Sequence, residues 1–227
     1  MEQTLQRWSK RDMLRELETA ERERRAANLT NKLLPEFSFT GRKITAGLNF
    51  TGSTIQGAVY LENCQIQGDI ILEKALLYRT LYITNCQVKG NLIARRANIR
   101  EVVNMMSTLF KKDIDMQNIS VKGYLGLNKV HILEDLNLSG ARIQDINNST
   151  GAIKGDLHLR NATIEGSANL ERMDVDGLGS LENTTIQQNL SLREAHFKEV
   201  VILTGTNIEG EVDAQDLQCK NLIAHLL

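Results

Sequence analysis

Apolar and polar residues alternate along this chain in a unit of eleven residues that repeats from Leu34 to Cys219. Gly is common at the second position of the unit, and Asn or Gly at the eighth, as in the copies 154–164 and 176–186. We count seventeen copies and interpret 144–153 as a copy that is one residue short. The last position is apolar in every copy: Ile44, Ile55, Ile66, Leu77, Val88, Ile99, Phe110, Val121, Ile132, Ile143, Ile153, Ile164, Val175, Ile186, Phe197, Ile208 and Cys219.

An eleven-residue period also occurs in right-handed coiled coils, so the helical interpretation has to be tested first. At about 100° per residue, positions 4 and 11 would lie on the opposite side of a helix from positions 6 and 9. In extended segments, positions 4 and 6 share one face, and so do positions 9 and 11. Gly and Asn tolerate the left-handed backbone that turns between such segments need. The pattern therefore predicts short strands joined by turns.

Leucine-rich repeats are an alternative, because they also place apolar residues at positions 4, 6 and 11. The absence of Asn at position 9 and of a variable helical segment favours the strand solenoid. Some features recur every 22 residues, as Cys64 and Cys86 do. We therefore expect two copies of the unit to form one turn of the solenoid, and this turn would have four short faces. About eight turns, stacked about 4.8 Å apart, would form a rod.

The inward positions pair a small or apolar residue with a second apolar one, as in Leu157/Leu159, Ala162/Ile164, Leu136/Leu138 and Ala141/Ile143. This alternation resembles the pentapeptide-repeat proteins over about residues 34–219. The resemblance implies an all-β solenoid, a right-handed quadrilateral parallel β-helix. The chain departs from that family in using 22 residues per turn where the family uses 20. Recurring Ile/Val-x-Gly-x-Leu phrases are more weakly similar to the polymerising bactofilins.

Residues 1–33 differ from the repeats and form a separate predicted unit, with the solenoid over 34–227. Ser9 and Asp12 form a weak capping box, which predicts that a charged α-helix begins here. Trp8 and Leu17 belong to its narrow apolar stripe, and Pro35 stands where we expect the helix to give way to the first turn. We expect this helix to cover the first strand edge or to dock on a partner.

The C-terminal residues after Cys219 offer neither a helical pattern nor a charged cap. Solenoids usually need a polar terminal repeat for solubility. We therefore expect the last turn, with Leu226 and Leu227, to pair with a second copy as a dimer or an end-to-end fibre.

Composition narrows the classes of partner. The formal charge is −1 and aromatic residues make up 4% of the chain, which argues against a dedicated nucleic-acid binder. As many acids as bases on the predicted helix argue against a membrane surface. The N-terminus has no apolar signal-peptide core, and three cysteines make no disulfide framework, so we expect a cytoplasmic protein. We expect a protein partner or a homo-oligomer.

Candidate chemistry is sparse, and we expect no enzyme, no cofactor and no dedicated metal site. No phosphate-binding Gly loop, catalytic triad or zinc motif is present in the sequence. Asp113, Asp135 and Asp156 are predicted to stack in one ladder, as turn caps or as a hard-cation site. Two irregular segments, 103–110 and 144–153, are either partner-binding surfaces or neutral drift.

These observations predict a non-catalytic structural or protein-interaction scaffold that self-assembles through its rod ends. The alternative is an inhibitor or modulator that docks its rod face on an enzyme such as a topoisomerase. That function would need a continuous negative stripe, and Lys111, Lys112 and Lys154 dilute the only fragment of one.

Overall fold

The computed structural model describes residues 5–148 and 151–224. Over these residues the chain forms a parallel β-solenoid of about ten turns, counting incomplete ones, with one short helix near the N-terminus. Each complete turn contributes one short strand to each of four parallel sheets, which we number sides 1 to 4 in the order the chain visits them. The predicted four-faced solenoid is therefore confirmed.

Three sides have nine strands and side 3 has eight. Side 1 consists of Gln6–Arg7, Lys32–Leu34, Thr54–Ile55, Leu76–Leu77, Asn98–Ile99, Ser120–Lys122, Arg142–Gln144, Asp174–Val175 and His196–Phe197. Side 2 consists of Phe37–Thr40, Val59–Glu62, Leu81–Thr84, Val103–Asn104, Leu125–Gly126, Leu157–His158, Gly179–Ser180, Val200–Ile202 and Asn221–Ile223. Side 3 consists of Lys43–Ile44, Gln65–Ile66, Gln87–Val88, Leu109–Phe110, His131–Ile132, Thr163–Ile164, Thr185–Ile186 and Asn207–Ile208. Side 4 consists of Ala27–Asn28, Leu48–Asn49, Ile70–Ile71, Leu92–Ile93, Ile114–Asp115, Leu136–Asn137, Ala168–Asn169, Leu190–Ser191 and Val212–Asp213.

The core is a continuous apolar column inside the four sides. The last position of the repeat is fully buried along most of the rod, as in Ile44, Ile99 and Ile164. Residues 103–110 keep the regular register, so this segment is not a defect: Val103 pairs with both Leu81 and Leu125. Met105 fills the core there. Burial of such side chains, at about 25 cal/mol per Å² of apolar surface, drives the stacking of turns.

The eighth position of the repeat forms the corners between sides 2 and 3 and between sides 4 and 1. Its residues have left-handed backbone conformations, with φ of 54° at Asn161 and 66° at Gly140. This confirms the predicted use of Asn and Gly. Gly at the second position has another cause: a Cβ on Gly68 would lie 2.7 Å from the Cα of Gly47 in the turn before. Close backbone stacking selects Gly there.

Residues 144–153 are not a shortened repeat, and this interpretation is wrong. Ile146–Asn148 and Gly151–Ile153 pair as an antiparallel two-stranded sheet separate from the four sides. Leu125 pairs with Leu157, so this turn is ten residues longer than the others. Ile153, predicted to be a core residue, is 40% exposed. The inserted hairpin leaves the rod at the corner between sides 1 and 2.

The helix spans Lys10–Glu23 and begins with the predicted capping box, in which Ser9 and Asp12 exchange hydrogen bonds. It ends at Arg24 in a left-handed conformation, well before Pro35. The solenoid starts earlier than the expected boundary at Leu34, because Ala27–Asn28 already pairs with Leu48–Asn49.

Candidate functional site

The N-terminal end of the solenoid is closed by the helix. Met13, Leu17 and Ala20 are buried and belong to the same core as the turns. Leu17 is therefore a core residue, which contradicts its prediction as a partner-binding residue, and Trp8 is half-buried against the core.

Acidic side chains of the helix satisfy backbone groups beside it. The Glu16 carboxylate accepts a hydrogen bond from the Asn28 N–H at 2.7 Å, and Glu21 accepts one from the Thr45 N–H at 3.1 Å. Glu21 also pairs with Arg42 at 3.0 Å. Helix and first turn are thus joined by apolar burial and by hydrogen bonds.

The last described turn, residues 212–224, is open by comparison, and we call it the open turn. Val212 and Leu222 occupy inward positions, since they pair with Leu190 and Val201 one turn earlier. Those two partners are 1% and 0% exposed, whereas Val212 and Leu222 are each 45% exposed. In the described part of the chain, apolar inward residues are thus uncovered at this end. Leu226 and Leu227, predicted as interaction residues, lie outside the described residues.

The predicted carboxylate ladder is split between two corners. The Asp113 Oδ1 atom accepts a hydrogen bond from the Asp135 N–H at 3.0 Å, and Asp135 Oδ1 accepts one from the Ser167 N–H at 2.7 Å. Asp156 instead lies at the corner between sides 1 and 2, where its Oδ1 accepts a hydrogen bond from the Leu178 N–H at 2.8 Å. The hairpin insertion causes the displacement, so the three-aspartate stack is wrong.

These carboxylates hold the corners of neighbouring turns together, because each accepts a backbone hydrogen bond from the following turn. No group of three or more His, Cys, Asp or Glu side chains in residues 5–148 and 151–224 is arranged to hold a metal ion. His158 lies 3.8 Å from Asp156, and burial lowers the pKa of this histidine despite the nearby carboxylate.

The corner between sides 2 and 3 carries a second ladder that the sequence pattern did not reveal. The Thr108 hydroxyl donates to the Ile83 carbonyl at 2.6 Å and accepts from the Cys86 N–H at 3.2 Å. Cys86 makes the equivalent contacts one turn earlier. Its Sγ atom lies 3.4 Å from the Leu61 carbonyl oxygen and accepts a hydrogen bond from the Cys64 N–H at 3.3 Å. Cys and Thr can both occupy this position because both donate and accept hydrogen bonds.

An aromatic groove lies between the inserted hairpin and side 2. It encloses about 490 Å³. Tyr82 lies on its floor, and the ring of Tyr60, one turn earlier on side 2, packs beside it with the ring centroids 5.3 Å apart. Burial raises the pKa of Tyr82, and the nearby Tyr124 hydroxyl adds to that effect. The lining residues are Arg79, Thr80, Tyr82, Arg100, Glu101, Val102, Tyr124, Ile146 and Ile153.

No protein-family model, curated protein or solved structure matches this chain. Among the described residues, no helix has both the length and the apolar character needed to span a membrane.

Proposed function

We propose that this protein is a non-catalytic scaffold that associates with a second copy of itself through the open turn. The observation that carries the proposal is the 45% exposure of the inward residues Val212 and Leu222. In the interior of the rod the equivalent residues are covered by the next turn. A second open turn offers the same kind of apolar surface together with strand edges, which supports self-association.

The closed N-terminal end favours a dimer over a fibre. A head-to-tail fibre would place the helix of one copy against the open turn of another. The outer face of that helix carries the exposed charged residues Arg11, Arg15 and Arg22, which are poor cover for an apolar surface. Contact between two open turns uses the same surface twice and closes the assembly.

Electrostatics gives this dimer a recognisable dependence on salt. Asp216 is exposed on the open turn, and Glu209 and Glu211 are exposed directly before it, whereas Asp213 is paired with Arg193 at 2.7 Å. Two open turns would bring these acids together, and the repulsion is screened as ionic strength rises. The proposed dimer therefore becomes tighter with added salt.

The four-sided turn also supports the resemblance to the pentapeptide-repeat family, and we propose that this chain shares the architecture of that family.

The alternative function, a rod face that docks on a topoisomerase, has less support. Its negative stripe would need a continuous column of free carboxylates. Asp113 and Asp135 instead accept backbone hydrogen bonds, and Lys112 pairs with Glu134 beside them.

Light scattering over a concentration series tests the proposal. We expect the mass to rise to twice the 25.5 kDa of one chain and to stop there. Val212→Lys and Leu222→Lys should weaken the dimer at least about tenfold, or about 1.4 kcal/mol. Met106→Lys is the matched control, because Met106 is 41% exposed in the middle of the rod. A monomer at all concentrations, or equal effects of all three substitutions, would contradict the proposal.

A further inference from the structure

The inserted hairpin is anchored to the rod at its base. The Asp145 Oδ1 atom accepts a hydrogen bond from the Gly155 N–H at 2.8 Å. The Asp145 N–H donates to the Asp176 carboxylate at 3.0 Å, and Asp176 also pairs with Lys198. Because both ends of the insertion are fixed, Ile146 and Ile153 have a defined place beside side 2.

Two glycines make room for the groove. Gly123 has a φ of 86°, and a Cβ there would lie 3.2 Å from Ile146 Cδ1 and 3.4 Å from Ile153 Cγ2. A Cβ on Gly126 would lie 3.2 Å from the Tyr124 ring. The hairpin isoleucines thus pack against one glycine, and the aromatic ring of the floor packs against the other.

The rim of the groove is basic. Arg79 pairs with Glu101 at 2.8 Å, so these two charges compensate each other. The Arg100 guanidinium lies 4.1 Å from the centre of the Tyr78 ring, and no acidic group among the described residues lies within 4.0 Å of it. One positive charge is therefore available beside an apolar surface that includes the 40% exposed Ile153.

We propose that this groove binds an extended segment of a partner protein, in which an apolar side chain is flanked by acidic residues. The apolar side chain would lie between Ile153 and the floor residues Tyr82 and Tyr124, and a carboxylate would pair with Arg100. The hairpin is a separate two-stranded sheet, so an extended segment can add to its strand edge by main-chain hydrogen bonds. A volume of about 490 Å³ suits a few side chains rather than a folded domain.

Fluorescence polarisation of the full chain with synthetic peptides tests this proposal. The probes are labelled nonapeptides with three central residues drawn from Val, Ile, Leu, Phe and Tyr, flanked on both sides by Asp and Glu. The matched set has Lys in place of every acid. We expect the acidic set to contain binders, the basic set to contain none, and binding to weaken with added salt.

Substitutions locate the binding. Arg100→Gln should weaken binding of the acidic peptides at least tenfold, and Ile153→Asp should abolish it. Lys89→Gln and Met106→Asp are the matched controls elsewhere on the surface and should leave binding unchanged. Urea unfolding of every variant shows whether the solenoid remains folded.

Three results would overturn the proposal. The first is equal binding of acidic and basic peptides, or no binding by either set. The second is unchanged binding in Arg100→Gln and Ile153→Asp. The third is loss of self-association in Ile153→Asp while Leu222→Lys retains it, because the groove would then contact a second copy instead of an acidic segment.

Discussion

Asp135 accepts a backbone hydrogen bond from Ser167, which is 32 residues later in the sequence, at 2.7 Å. The equivalent bond one turn earlier joins Asp113 and Asp135, which are 22 residues apart. The corner geometry is thus preserved across a turn that is ten residues longer. The insertion adds a hairpin to the surface without disturbing the stacking of the turns.

Excision of the hairpin should therefore leave a folded solenoid. Deletion of residues 145–154 joins Gln144 to Gly155 and restores a 22-residue turn. We expect cooperative urea unfolding and an unchanged β-sheet circular dichroism spectrum. Deletion of the ten residues 90–99 is the matched control, and it should abolish cooperative unfolding because it moves core residues out of register. Loss of cooperativity in both deletions would mean that the hairpin is part of the core.

The helix should stabilise the solenoid through its buried face. Leu17→Ala should lower the free energy of unfolding by about 2–5 kcal/mol, the usual cost of a large-to-small substitution in a core. Leu14→Ala is the matched control, since Leu14 is 40% exposed on the same helix, and it should cost less than about 0.5 kcal/mol. Urea denaturation measures both values. Similar costs at the two positions would show that the helix does not close the core.

The Cys and Thr ladder at the corner between sides 2 and 3 predicts that Thr108→Cys destabilises the protein less than Thr108→Val does. Thr108→Val removes the hydroxyl and leaves the buried Ile83 carbonyl and Cys86 N–H without their partner. We expect this change to cost about 1–3 kcal/mol, although Val has nearly the same shape as Thr. Thr108→Cys should cost less, because Cys86 makes the equivalent contacts one turn earlier. The order of the two unfolding midpoints in urea checks this expectation.

The buried thiol of Cys86 predicts a loss of stability at alkaline pH. Burial raises its pKa from 9.0 to about 12 in the folded protein, whereas the unfolded chain ionises near the lower value. At pH values between these two pKa values, the unfolded state binds fewer protons than the folded state, so the free energy of unfolding falls as pH rises. Below about pH 9 the thiol is protonated in both states, and its contribution to stability is constant. Urea midpoints at about pH 8 and about pH 10 should therefore differ more in the natural chain than in Cys86→Thr. An identical pH dependence in the two proteins would contradict this assignment.

The repeat made the architecture predictable because each apolar position has one function in every turn. Ile44 and Ile164 are far apart along the rod, yet the same alternation buries both. The left-handed corners were also predictable, since Asn and Gly are the residues that adopt this conformation at low cost. Neighbour-to-neighbour stacking explains why the local pattern was sufficient over most of the chain.

The pattern failed at the hairpin because its sequence imitates a repeat. Ile153 stands almost where the next buried residue was due, so a copy that is one residue short was an adequate fit. The resulting error placed Asp156 in line with Asp135, although the two residues lie at opposite corners of the rod, with two sides between them. The sequence did contain one signal for a hairpin, because the run from Asn147 to Gly151 consists of turn-forming residues and lies between two isoleucines. The groove was not predictable, because it joins Tyr82 to residues more than sixty positions later.

The corner hydrogen bonds also determine how this protein can change in length. Every complete turn presents the same edges above and below, so duplication of any 22-residue unit would add about 4.8 Å to the rod and leave both ends unchanged. Such a duplication between the helix and the hairpin would move the groove away from the closed end by one strand spacing. The distance between the surfaces on this rod is therefore set in discrete steps by the number of turns, and evolution can adjust it without redesigning either surface.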